Sequence, residues 1–249
     1  MAALSTFEPG RRLRPEELTP RHLAAVGSTL AHLHAALGRH PGPMASPKVP
    51  PRPEVVNARL KELEGLVHGR PFSPEVDELV LRVLEAKRDA LARWPLAPDM
   101  YQGAAWQFLH RDYRLENLLF DEGGQVTAIL DFDFAREGYR AWEVMRAAMT
   151  ATWLGSGAAG EHGMGLERAT PLMEAYLERQ PIPRPELQNL GHLWLDYLVR
   201  TLWPMSVPYE NPGAYQPGLA AILADRDSYT RWLSRNLPEV EAWLVGLLH

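Results

Sequence analysis

The sequence predicts a mainly α-helical protein with one small cluster of β-hairpins, an α+β fold class. Three observations carry this. Apolar residues recur every three or four positions along most of the chain, which places them on single helix faces. Between Tyr101 and Asp133 that spacing gives way to short apolar runs flanked by turn residues. Prolines gather where the periodic segments end, so they read as element boundaries.

The first helix is expected from Thr19 to Leu37. Thr19 can cap it, Pro20 suits the first helical position, and Leu23, Val26, Leu30, Leu33 and Leu37 share a face before Gly38 ends it. Residues 41–53 hold six prolines and read as an extended loop. A second helix carries Val56, Leu60, Leu63 and Leu66 and stops near Gly69. A third starts at the Ser73-Pro74 cap and carries Val76, Val80, Val83, Leu84 and Leu91 up to Pro95. Phe108-Leu109, Leu118–Phe120 and Val126–Leu130 come next as short strands, with Glu122-Gly123-Gly124 as the turn between the last two. Helices resume at about 139–154, 166–180, 185–203, 218–236 and 238–248, separated by prolines. No internal repeat is present.

Composition narrows the function classes. The 249 residues contain no cysteine, which excludes disulfides, thiolate metal sites and a cysteine nucleophile and fits a cytoplasmic setting. A net charge of −5 gives no bulk attraction to nucleic acid. No stretch reaches the roughly 18 apolar residues of a membrane span, so neither nucleic acid nor membrane is expected as a partner. Of 26 basic residues, all but Lys48, Lys61 and Lys87 are arginine.

The chemistry concentrates at 108–133. His110-Arg111-Asp112-Tyr113-Arg114-Leu115-Glu116-Asn117 precedes a hairpin that returns to Leu130-Asp131-Phe132-Asp133. Antiparallel pairing sets the start of one strand beside the end of the next, so Asn117 and Asp131 become neighbours. A carboxylate, an amide oxygen and phosphate oxygens suit Mg²⁺, a hard ion that takes few protein ligands. Asp112, five residues before Asn117, is left to accept a proton from a substrate hydroxyl.

This spacing resembles the kinase superfamily, H-x-D-x-x-x-x-N followed by a strand and D-F, in its aminoglycoside phosphotransferase and choline kinase branch. Leu130-Asp131-Phe132-Asp133 has the branch form, and Leu30-Ala31-His32-Leu33-His34 looks like its L-A-x-L-H run on the helix after the hinge between lobes. The resemblance implies a protein-kinase-like C-terminal lobe over 19–249, with 1–18 a hinge remnant or tail and 139–249 a helical acceptor-binding subdomain. It implies Asp112 as catalytic base, Asn117 and Asp131 as Mg²⁺ ligands, and ATP as phosphate donor. Two departures stand out. Arg111 replaces the glycine common in the branch, and Glu143 replaces its usual aspartate.

Supporting roles stay open at this level. His110 is expected to hold the loop by a hydrogen bond. Asp133 faces the metal or caps the next helix, and Arg111 pairs with Asp133 or Glu143 or is solvated. His32 and His34, two apart on a helix, make a poor metal pair. Trp194, Asp196, Tyr197 and Trp203 either line an acceptor pocket, suited to a cationic amine or amino sugar, or are core packing.

A small N-terminal lobe of such a kinase takes roughly 70–90 residues. About eighteen precede the helix after the hinge, and none of the three lysines lies on a strand upstream of it. Gly155-Ser156-Gly157-Ala158-Ala159-Gly160 matches G-x-G-x-x-G but follows a helix, downstream of the catalytic loop, so it reads as a linker. The small lobe is therefore expected to be absent. Three readings remain: a phosphotransferase acting on a hydroxyl of a small molecule (an aminoglycoside, amino alcohol or sugar); a non-catalytic kinase-like module; or a chain whose recorded start lies downstream of the true one. In each, a partner or missing segment would cover the upper face of the lobe.

Overall fold

The computed structural model describes residues 9–39, 45–47, 50–94, 96, 98–154 and 163–248. The expected linker at 155–160, the first eight residues of the expected tail, Lys48 and most of 40–49 lie outside the described residues. In chain order the elements are α1 (Pro20–Leu37), α2 (Pro53–Gly69), α3 (Pro74–Arg93), β1 (Trp106–Leu109), β2 (Leu118–Phe120), β3 (Val126–Ile129) and β4 (Arg136–Tyr139). Then come α4 (Arg140–Thr152), β5 (Trp153–Leu154), β6 (Gly163–Met164), α5 (Leu166–Arg179), α6 (Arg184–Gln188), α7 (Leu190–Arg200), α8 (Trp203–Glu210) and α9 (Gly218–Gly246). The protein is mainly helical with small antiparallel sheets.

The chain forms two compact units interleaved in sequence: residues 1–47, 104–188 and 243–249, and residues 48–103 and 189–242. In the first unit, α1 begins as its sequence dictates: the Thr19 hydroxyl accepts from the His22 amide at 3.5 Å, and Pro20 opens the first turn. Its apolar face, with Leu23, Val26 and Leu30 buried, packs against α5. The helices meet closely at Gly27, where a Cβ would stand 1.9 Å from the Leu172 carbonyl oxygen.

Two antiparallel strand pairs of this unit frame the His110 loop. Leu118 pairs with Ile129, and the turn between β2 and β3 is closed by Asp121, whose carboxylate accepts from the Gln125 amide at 2.8 Å. The described part of 1–18 joins this hairpin. Arg11 and Phe120 exchange two backbone hydrogen bonds at 2.9 Å, and Leu13 and Leu18 are buried. β4 was not expected; it pairs with β1, Trp106 opposite Tyr139 and Leu109 opposite Arg136. That pairing ties the strand entering the His110 loop to the start of α4.

In the second unit, α2 packs against α3, which also meets α7. Two helix boundaries differ from expectation. The helix expected over 185–203 is divided into α6 and α7, with α8 starting at Trp203. The two helices expected on either side of Leu237 are one, α9, running through Pro238. Proline at 238 has no N–H for the Ser234 carbonyl, which would normally break a helix. Here the Trp94 indole N–H supplies that bond at 2.8 Å, so the carbonyl is satisfied and the helix continues.

Lys87 falls on the apolar face of α3, at the spacing of Val80, Val83 and Leu84, and is fully buried. Its ammonium donates to the Leu198 and Thr201 carbonyls at the C-terminal end of α7, groups that a helix end leaves without intrahelical partners. Burial, with Arg226 nearby, holds its pKa well below the usual lysine value.

Candidate active site

The loop after β1 is folded by contacts on both sides. His110 and Arg111 direct successive backbone N–H groups at the Glu143 carboxylate on the first turn of α4: His110 N donates to Oε2 at 3.1 Å and Arg111 N to Oε1. The His34 Nε2 also reaches Oε2, at 3.0 Å, and its Nδ1 meets the Tyr176 hydroxyl at 2.8 Å. Glu143 is 3 % exposed and His34 fully buried. Burial pushes the Glu143 carboxyl up, but His34 and the Arg111 and His110 amides together outweigh it and hold the pKa below the usual value. His34 is thus a core residue, while His32 is exposed on another face.

His110 holds the loop. Its Nδ1 accepts from the Asp112 amide at 3.2 Å, so Nε2 carries the proton donated to the Leu130 carbonyl at 2.9 Å. Tyr113 is buried and donates to the Val26 carbonyl at 2.8 Å, pinning the loop to α1; burial first, then Glu143, raise its pKa well above the usual range.

Asp112 is nearly buried. Its Oδ1 accepts from Arg146 at 2.6 Å, and its Oδ2 from Asn117 Nδ2 at 2.9 Å, with Arg114 Nε 3.4 Å away. Asn117 Nδ2 also reaches the Asp112 carbonyl at 2.9 Å, which leaves Asn117 Oδ1 as the head atom of metal-ligating type. Register brings Asp131 to the same end of the hairpin: the Leu130 amide donates to the Asn117 carbonyl at 2.8 Å. The exposed Asp131 side chain has no hydrogen-bond or ion-pair partner among the described residues.

Arg111 (φ 69°) and Asp131 (φ 63°) are the non-glycine residues with left-handed backbone among those described. Such strain concentrates at functional sites, and aspartate tolerates it better than arginine. The side chain of Arg111 lies 5.4 Å from the Trp142 ring and close over Gly138, where a Cβ would come within 2.6 Å of it. The Arg111 backbone N–H meets the Glu143 carboxylate, and its guanidinium faces the Trp142 ring. Arg111→Gly is expected to leave stability within about 1 kcal/mol of the parent, relief of the left-handed residue offsetting the lost cation–π contact. Arg111→Val loses the contact and sets a β-branched residue at positive φ, about 2 kcal/mol, in urea unfolding.

Asp133 does not cap the following helix, contrary to one of its two expected roles. β4 intervenes, and the residue preceding α4 is Tyr139. Asp133 and the neighbouring Phe132 and Phe134 are exposed, and Phe132 packs its ring 4.4 Å from that of His110.

The late aromatics sit in the second unit and are engaged internally. Trp194 is 2 % exposed and stacks on Tyr197 at 5.0 Å. Tyr197 is faced by the Arg226 guanidinium at 5.3 Å. Asp196, fully buried, accepts from Arg200 Nε and the Tyr101 hydroxyl, both at 2.6 Å; burial outweighs both and raises its pKa. Arginines of the chain itself thus face the Tyr197 ring and the Asp196 carboxylate. Trp203 is apart from them in character, 54 % exposed at the start of α8.

The donor set fits Mg²⁺ only in part-protein form. Among the described residues no group of three or more His, Asp or Glu side chains is placed to hold a metal. One carboxylate and one amide oxygen leave most positions to phosphate and water oxygens, the usual pattern for this ion. Arg146, which no sequence pattern singled out, was findable: it lies one helical turn beyond Glu143, on the same face.

Comparison with known proteins bears on the family and the fold. A Caulobacter homoserine kinase is 30% identical over 186 residues, 74% of this chain and 51% of the relative, so the chain spans about half that protein's length. An aminoglycoside phosphotransferase from Alicyclobacillus acidocaldarius superposes with a TM-score of 0.57 at 19% identity, covering 95% of this chain and 70% of its own. A Plasmodium vivax ethanolamine kinase gives 0.55 at 12% identity (90% and 63% covered), and a Cryptosporidium parvum choline kinase 0.53 at 13% (96% and 73%). These structures establish a shared kinase-like fold. Residues 2–179 match the APH family, and with the His110–Asn117 loop and the Asp131 hairpin in place, the chain belongs to this phosphotransferase enzyme family.

Proposed function

We propose that the chain carries the catalytic loop and metal-binding hairpin of an ATP- and Mg²⁺-dependent phosphotransferase whose acceptor is a hydroxyl of a small molecule. The observation that carries this reading is the Asp112 carboxylate, fixed against Asn117 at the end of the hairpin that delivers Asp131. Asp112 orients the acceptor hydroxyl and takes its proton as the phosphoryl group arrives. Asn117 Oδ1 and Asp131 would hold Mg²⁺, which neutralises charge on the nucleotide phosphates when bound. His110 and Glu143 keep the loop in register, and Asp133, two residues after Asp131, would face the metal. The relatives named for homoserine, choline, ethanolamine and aminoglycosides support an acceptor among hydroxyl-bearing amino acids, amino alcohols and amino sugars. Cysteine-free composition supports a cytoplasmic setting.

A second reading, a non-catalytic binding module, is favoured by one observation. Lys87 is buried on the α7 carbonyls and Lys61 lies on α2, so neither is a strand lysine gripping phosphate. A partner or further segment covering the upper face would supply that group.

Two measurements separate the readings. Calorimetry on the chain is expected to give a Mg-ATP dissociation constant of about 1 mM, since neither Lys61 nor Lys87 is placed to grip phosphate, and no binding with Asp131→Ala. ADP release across a panel of hydroxyl acceptors is expected to be slow and to vanish with Asp112→Asn. Transfer that survives Asp112→Asn overturns the catalytic assignment.

A further inference from the structure

α4 reads both polarities of the catalytic loop. Glu143 accepts from the N–H groups of His110 and Arg111, while Arg146, three residues on, donates to acceptors of Arg111 and Asp112. One Arg146 nitrogen (Nη1) bonds the Arg111 carbonyl at 2.7 Å, and the other (Nη2) bonds Asp112 Oδ1 at 2.6 Å. The fork therefore spans from main chain to side chain across one residue. With the carbonyl of 111 and the carboxylate of 112 held by the same rigid planar group, the side-chain torsion of Asp112 is fixed relative to its own backbone. The Arg111 left-handed turn is what aims that carbonyl towards α4.

We propose that Arg146 is a positioning residue that sets the rotamer of Asp112 for phosphoryl transfer. This rests on the reading that Asp112 meets the acceptor hydroxyl. Asn117 Nδ2 bonds the other oxygen and the Asp112 carbonyl through a single nitrogen, and Arg114 touches that oxygen alone; Arg146 holds Oδ1 and the Arg111 carbonyl through two nitrogens of one planar group. Arg114 is exposed and lies 3.4 Å away, with Glu116 as a second partner at 3.7 Å. A lysine at 146 would bring a single nitrogen and could satisfy the charge without the two-point geometry. The guanidinium shape, beyond its charge, is what the site uses.

The test has an arm that needs no activity. Three-bond couplings of Asp112 in isotope-labelled protein are expected to report one staggered rotamer in the parent and rotamer averaging in Arg146→Gln and Arg146→Lys. Thermal melts confirm that each variant is folded, and the lysine variant serves if the glutamine variant is not. A single unchanged rotamer in a folded variant overturns the proposal. In the kinetic arm, with any acceptor the parent turns over, both variants are expected to lower kcat about 100-fold, the scale of a misplacement near 1 Å, with KM for both substrates within threefold. Millimolar guanidinium is expected to restore part of the activity of Arg146→Ala and none to Asp112→Asn. An unchanged kcat in Arg146→Gln also overturns it. If the parent turns over no acceptor, the phosphotransferase reading fails, and the couplings still decide whether Arg146 sets the rotamer.

Discussion

Glu143→Ala is expected to destabilise the first unit by about 3–5 kcal/mol, the cost of removing one partner from a buried, charge-assisted network. Three donors lose their acceptor together: His34 Nε2 and the amides of His110 and Arg111. The His34 and His110 donors are buried and the Arg111 amide partly so, which leaves the first two with their desolvation cost uncompensated. Urea unfolding measures the loss, and faster amide exchange at His110 and Arg111 would localise it. The network also makes a pH prediction. The folded-state pKa of Glu143 lies below its ordinary value of 4.5, so its contribution is present above that value and fades as pH falls through the folded pKa. Melting temperature between pH 3 and pH 6 should therefore fall less steeply in Glu143→Gln than in the parent, from a lower starting point. Parallel pH profiles would show that its partners do not hold the carboxylate in its ionised form.

Gly27→Ala is expected to cost about 3 kcal/mol, at the upper end of ordinary overpacking penalties. The clash is with the Leu172 backbone, 1.9 Å from where the new methyl would stand, and neither helix offers a flexible side chain to move aside. α1 and α5 must separate, which loosens the layer that carries His34 and Tyr176. A control is built into the chain. Gly65 lies in α2 with nothing within 4 Å of an added Cβ, so Gly65→Ala should stabilise by up to about 1 kcal/mol through helix propensity alone. Equal effects of the two substitutions in denaturant would refute the close-packing account.

Local signals made the helix starts legible. Thr19-Pro20 and Ser73-Pro74 cap α1 and α3 as their residue types dictate, and Gly123-Gly124 marks the β2–β3 turn. The His110–Asn117 loop was legible for the same reason, since its spacing lies within eight residues. What was not legible depends on contacts distant in sequence. β4 has no alternation of its own and exists because β1, some thirty residues earlier, offers an open edge. α9 passes Pro238 because an indole 140 positions away fills one carbonyl. Arg146 reaches Asp112 across 34 residues, and proximity on a helix to Glu143 was the only clue. The aromatic cluster was legible in composition but not in its partners. Its composition suits a cation, but the cation is the protein's own Arg226, and the carboxylate beside it belongs to Arg200.

Lys87 has a practical consequence for anyone following this protein in solution. With no cysteine and only three lysines, amine-directed chemistry has few places to go. Lys61 is exposed and open to reagent in the native fold, whereas the Lys87 amine is sealed beneath α7 and becomes nucleophilic toward reagent only when that helix end lifts away. Its rate of acylation, read by mass spectrometry against that of Lys61, is a native clock for the opening of the second unit, ticking without any engineered label.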